Sequence, residues 1–138
     1  MKLILTGVLL GVVVLMVSSC AGVPTEPLSP GEVRILGMDF LDTSEVRKEV
    51  RYMIGIKFDA QGGPEITRAC VQWTGYGLNC MKVLDYGNGL IRADVLTPSV
   101  PGSYAVKVYV YYVRNGKMEQ SNVVTTPVEV KGEKKPMR

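Results

Sequence analysis

From about residue 33 to 130 the chain alternates apolar and polar positions with a period of two. Val50, Tyr52, Ile54, Ile56 and Phe58 share one parity, and Arg51, Met53, Gly55 and Lys57 the other. Successive side chains of a strand point to opposite faces, so this segment predicts a strand with one buried side. Thr67, Ala69, Val71 and Trp73 alternate in the same way with Arg68, Cys70 and Gln72, and Ile91, Ala93 and Val95 with Arg92 and Asp94. The longest run sets Tyr104, Val106, Val108, Val110 and Tyr112 against Ala105, Lys107, Tyr109, Tyr111 and Val113. These β-branched and aromatic residues suit a pleated, half-buried surface.

Turn signals separate the runs: Gln61-Gly62-Gly63-Pro64, Gly75-Tyr76-Gly77, Gly87-Asn88-Gly89 and Pro98 to Gly102. Asn115-Gly116 tolerates the positive φ of a two-residue hairpin turn and predicts that Tyr104–Val113 folds back on a strand from about Met118 to Thr125. Pro127 donates no backbone hydrogen bond, so it is expected to break or bulge that strand near a sheet edge. With a first strand over Val33–Leu41 and another around Met81–Tyr86, about seven strands result. No segment of the domain carries a helical stripe, and Ser44 to Arg51 serves as the approach to a strand.

About seven short strands in roughly 100 residues predict an all-β domain of two packed antiparallel sheets, because a single sheet would leave one face uncovered. With Trp73 in the third strand and Pro101-Gly102-Ser103-Tyr104 leading into the sixth, residues 32–130 resemble the immunoglobulin or fibronectin type III sandwich. The Tyr104 strand has no cysteine, so the antibody-type inter-sheet disulfide cannot form. A barrel or jelly-roll fragment is the alternative fold.

The start of the chain has a different pattern. Met1 and Lys2 precede an apolar stretch from Leu3 to Val17, about fifteen residues and roughly 22 Å as a helix, short of a ~30 Å hydrocarbon core. It ends in small residues, as a signal-peptide core does. Val17-Ser18-Ser19-Cys20, followed by Ala21, resembles the lipobox of bacterial lipoproteins. The resemblance implies that residues 1–19 are removed and that Cys20 is acylated, with palmitate-type chains holding the protein to the membrane lipid. The absence of Asp after the cysteine implies export to the cell outer membrane in a two-membraned bacterium. Residues 20–31, rich in proline, then form a tether of at most ~40 Å, and residues 131–138 a basic flexible tail.

Composition narrows the chemistry. Removing Lys2 with the leader lowers the formal charge of +3 by one, and no long basic stripe suggests nucleic acid. Once Cys20 is assigned to lipid, Cys70 and Cys80 remain, in a compartment that favours oxidation. Their spacing is unlike a CxxC redox site, and a structural disulfide closing a ring of about eleven residues is the expectation. The chain contains no histidine, which removes Ser-His-Asp and Cys-His catalysis and histidine zinc sites. Asp39, Asp42, Glu45, Asp59, Asp85 and Asp94 have no spacing that selects a catalytic pair, and Asp39-x-x-Asp42-x-x-Glu45 lacks an EF-hand loop. No catalytic residue, metal or cofactor is therefore assigned.

Tyrosines are the candidate binding residues: Tyr109 and Tyr111 opposite the apolar face of their strand, Tyr76 in a loop and Tyr86 at a strand end. The expected function is noncatalytic, a membrane-anchored structural subunit or protein-binding adaptor in a bacterial envelope or extracellular assembly. The alternative is a surface lipoprotein that binds carbohydrate or peptidoglycan through these tyrosines.

Overall fold

Alternation fixes which side of each strand is buried, and the computed structural model, which describes residues 23–133, shows how the strands meet. They are β1 (Val33–Phe40), β2 (Arg51–Ala60), β3 (Glu65–Trp73), β4 (Asn79–Lys82), β5 (Asp85–Gly87), β6 (Leu90–Leu96), β7 (Gly102–Arg114), β8 (Lys117–Gln120) and β9 (Val124–Val130). One sheet has the order β1-β2-β6-β5; the other is β4-β3-β7, with β8 and β9 in succession along the far side of β7. All strand pairs are antiparallel, and the order follows that of an immunoglobulin-type sandwich, with β4 added beside the third strand. The leader, Cys20 and residues 134–138 of the basic tail lie outside the described residues.

Nine strands stand where seven are expected because two of the seven are divided. The Met81–Tyr86 segment changes sheets: β4 pairs with β3, whereas β5 pairs with β6, and Leu84 N–H already donates to Arg92 C=O. The last strand is interrupted at Ser121–Val123, earlier than Pro127. Partners Val108↔Val124 and Tyr111↔Gln120 leave one extra residue on the β8–β9 side, a bulge. Pro127 sits inside β9 opposite Ala105, which an edge strand tolerates.

The two inner faces supply the core. Ile35, Ile54, Ile56, Ile91 and Val95 meet Val71, Val106, Val108 and Val110, all buried. Each such side chain contributes roughly 1.5–3 kcal/mol through removal of apolar area from water. One end of the core is aromatic: ring centroids lie 5.8 Å apart for Tyr52–Phe40, 6.5 Å for Phe40–Trp73, 5.6 Å for Trp73–Tyr104 and 5.9 Å for Tyr104–Tyr76. The Tyr104 hydroxyl donates to the carbonyl of Val100, four residues upstream, the tyrosine corner that marks this strand in Greek-key sandwiches. Tyr104→Phe keeps the ring and loses that bond, so urea unfolding should show a loss of about 1 kcal/mol.

Side chains also close the sandwich where strands do not. The Asn122 amide donates to Ile35 C=O (2.9 Å), and its carbonyl accepts from Ile35 N–H (2.7 Å), so one side chain substitutes for a neighbouring strand beside the β1 bulge between Ile35 and Gly37. At the opposite pole Arg47 bridges to Lys131, with Lys48 N–H donating to Lys131 C=O and Lys131 N–H to Val46 C=O.

The proline-rich run that precedes β1 is held against the domain. Buried Arg34 donates to the carbonyls of Pro24 and Glu26 and pairs with Glu32 at 2.9 Å, while Arg114 donates to the Ser29 hydroxyl. Val23 packs on the core. The Ser29 backbone N–H foremost, then the Ser29 hydroxyl and Arg34, hold the Glu32 carboxyl below its ordinary range.

Candidate functional site

Cross-strand register sorts the outer face of the five-stranded sheet into rows, because residues directly opposite one another share a side. One row reads Lys82, Arg68, Tyr111, Gln120; the next Cys80, Cys70, Tyr109; the next Gln72, Lys107, Thr125. Beyond them lie Glu65, Val113 and Met118 at one end, and at the other Ala105 with Pro127 and then Ser103 with Glu129.

At the centre of this face Cys70 and Cys80, directly paired in register, form a disulfide, the structural bridge expected of them. Cys70 is fully buried although it points away from the core, since the disulfide and its neighbours cover it. Tyr109 and Tyr111 stand beside it, half-buried, with ring centroids 5.6 Å apart at 80°, an edge-to-face pair. Burial, and after it the neighbouring Tyr111, raise the Tyr109 phenol above its ordinary pKa. The double change Cys70→Ser with Cys80→Ser should lower stability by about 2–3 kcal/mol, the loop-closure value for a ring of this length. Thermal unfolding with and without reductant checks it: reductant should lower the wild-type midpoint to that of the variant and leave the variant unchanged.

Arg68, Lys82 and Lys107 are exposed, and none of the ion pairs among the described residues includes them. The outer face of the four-stranded sheet is arranged differently. Lys57 pairs with Asp39 at 3.1 Å and Arg92 with Asp85, which holds the Asp85 carboxyl below its ordinary range. Between those pairs the Leu41 and Leu90 side chains lie over Gly55, where an added Cβ would come within 2.8 and 2.9 Å of their methyl groups.

The four tyrosines expected to bind do not converge. Tyr109 and Tyr111 share the outer face just described. Tyr76 lies at the aromatic pole, where Ser99 foremost and Tyr104 after it hold its phenol below the usual value. It stands at the mouth of a cleft of about 320 Å³ lined also by Trp73, Asn79, Leu96, Thr97 and Pro98. Trp73 is buried there, and its indole N–H has no acceptor among the described residues. Tyr86, in β5, borders a shallow notch with Phe58, Gly62, Pro64 and Asn88, at the other pole. The acidic triplet is likewise divided: Asp39 pairs with Lys57, Asp42 accepts from Met53 N–H, and Glu45 meets Arg47 and Lys131. Among the described residues no three acidic or cysteine side chains could hold a metal ion.

The cations escaped the reading of the sequence. Lys107 shares its strand parity with Tyr109 and Tyr111, and Arg68 with Cys70, but the rows that bring them together depend on a register shift between Ile66 and Arg68. No protein-family model, no curated protein and no solved structure matches the chain.

Proposed function

We propose that the protein is a noncatalytic lipoprotein that anchors to a bacterial envelope membrane through Cys20, at the outer membrane where there are two, and serves as a structural subunit or protein-binding adaptor in an envelope or extracellular assembly. The observation that carries this reading is the Tyr109–Tyr111 pair on a broad sheet face that no other described segment covers. Two tyrosines locked edge to face offer apolar area and hydroxyl groups with little rotamer freedom left to lose, which suits a protein contact. Arg34 adds to it. By holding Pro24 and Glu26, it leaves four residues from Cys20 to Pro24, a reach of at most about 14 Å. The domain then stands on the membrane by the pole that carries the β2–β3 turn and the β7–β8 hairpin, with its sheet faces turned sideways toward neighbours.

The glycan-binding alternative rests on a different place, the cleft beside exposed Tyr76, whose ring offers a face for a sugar to stack on. Extraction in mild detergent followed by native mass spectrometry separates the readings. The adaptor reading expects a stoichiometric complex that is lost in Tyr109→Ala with Tyr111→Ala and kept in Tyr76→Ala. Free protein alone under several gentle conditions, together with cell-wall binding abolished by Tyr76→Ala, would overturn it. Cys20→Ser should release the protein from the membrane fraction.

A further inference from the structure

We infer that the outer face of the five-stranded sheet docks an acidic protein segment, its carboxylates received by Arg68, Lys82 and Lys107 on either side of the tyrosine pair. The inference rests on the adaptor reading and names the chemistry of its partner. Three observations carry it.

First, Lys82 and Arg68 are directly opposed in register across β4 and β3, and neither has a carboxylate partner among the described residues. Like charges opposed on one sheet face destabilise it. A carboxylate shared between an ammonium and a guanidinium would reverse the sign of that interaction, because Arg donates to it through a bidentate fork. Second, Lys107 lies four residues along the sheet from the Arg68 row, about 14 Å away. The tyrosine pair and the disulfide fill the distance between. A partner must therefore carry two acidic positions separated by an apolar or aromatic contact, which describes a polypeptide segment. A lipid surface is held by denser clusters, about four to eight cations, and a repeating polyanion has no apolar stretch for Tyr109, Tyr111 and the nearby Met118. Third, on the opposite sheet face Lys57 pairs with Asp39 and Arg92 with Asp85, which leaves Arg51 as its one strand cation in no ion pair among the described residues. Three strand cations without an ion pair therefore gather beside the tyrosines, and the carboxylates of the same face, Glu65 and Glu129, stand in the rows at its two ends.

The test uses the mature lipidated protein in mild detergent and a fluorescein-labelled random copolymer of Glu and Tyr, read by anisotropy. Binding is expected at 50 mM NaCl and should weaken at least tenfold at 300 mM, as screening of a charged contact requires. Arg68→Gln, Lys82→Gln and Lys107→Gln together should weaken it at least tenfold, while Lys57→Gln on the other face changes it less than twofold. Thermal midpoints guard against misfolding: Lys82→Gln alone should unfold no earlier than wild type, since it removes a repulsion. Absence of copolymer binding at 50 mM NaCl overturns the inference. So does equal weakening by Lys57→Gln, or tighter binding to heparin or to vesicles with 30% anionic lipid through the same three cations. Native mass spectrometry of the triple variant separates this inference from the adaptor reading. A complex that survives the triple change but is lost in Tyr109→Ala with Tyr111→Ala keeps the adaptor reading and rejects the acidic segment as what docks here. A complex lost in the triple variant and retained in Lys57→Gln supports both.

Discussion

Trp73→Ala is expected to lower the stability of the domain by about 3–5 kcal/mol, the range for a buried aromatic residue truncated to a methyl group. Trp73 is 5% exposed and touches the core from β3, opposite Val106, while its ring meets both Phe40 and Tyr104. Removing it breaks the aromatic chain in the middle and joins the neighbouring cleft to the space between the sheets. Against a total of about 5–15 kcal/mol for a domain of ordinary stability, that is a large fraction. Trp73→Phe makes the prediction sharper. The indole N–H has no acceptor among the described residues, so losing it removes a buried donor and offsets part of the lost packing area. Urea unfolding should therefore place Trp73→Phe within about 2 kcal/mol of wild type and well above Trp73→Ala. Equal losses for the two variants would mean that the N–H is satisfied in solution and that the ring is held by polar contact more than by packing.

How far the fold can be seen in the sequence depends on the kind of information involved. Face assignment is local: the inward set Tyr104, Val106, Val108, Val110 and Tyr112 and its outward complement follow from alternation alone. Partner choice is not local. Met81 to Tyr86 is too short to show that its first half belongs to β3 and its second to β6, because the sheet change takes place across Val83 and Leu84, both apolar. The interruption at Ser121–Val123 had a signal in the polar pair Ser121-Asn122, but Pro127 is the stronger breaker by rule. It proved harmless because β9 is an edge strand and needs no donor there. The proline-rich run reads on composition as a tether partly extended by proline, with nothing to show where it lies on the domain. What holds it is one arginine in β1, whose parity gives no sign that it reaches back to Pro24 and Glu26. Tyr109 and Tyr111 were visible as outward aromatics, whereas the cations around them were not, since they come from β3, β4 and a different row of β7.

The same distinction gives weight to Asn122, a polar residue that the sequence pattern places inside one continuous last strand. Asn122→Ala is expected to cost about 3–4 kcal/mol. Ile35 is fully buried, and the change leaves its N–H and its C=O unpaired, each a loss of about 1–3 kcal/mol. The loss should appear locally as well: hydrogen exchange at the Ile35 amide should accelerate more than at Ile54 or Ile56 in β2, because β1 is an edge strand that Asn122 closes. Asn122→Asp tests the geometry. An ionised carboxylate still accepts from Ile35 N–H but faces the Ile35 carbonyl with no hydrogen to donate, whereas the protonated acid can do both. Relative to wild type at the same pH, that variant should therefore be less stable at pH 7 than at pH 4. The sign follows because the folded state holds the proton more tightly than the unfolded chain, so its stability falls as pH rises. Equal deficits at the two pH values would show that only the N–H bond matters. β1 would then be held by core packing from Val33, Ile35 and Met38, and the amide clip would be incidental to the closure of the sandwich.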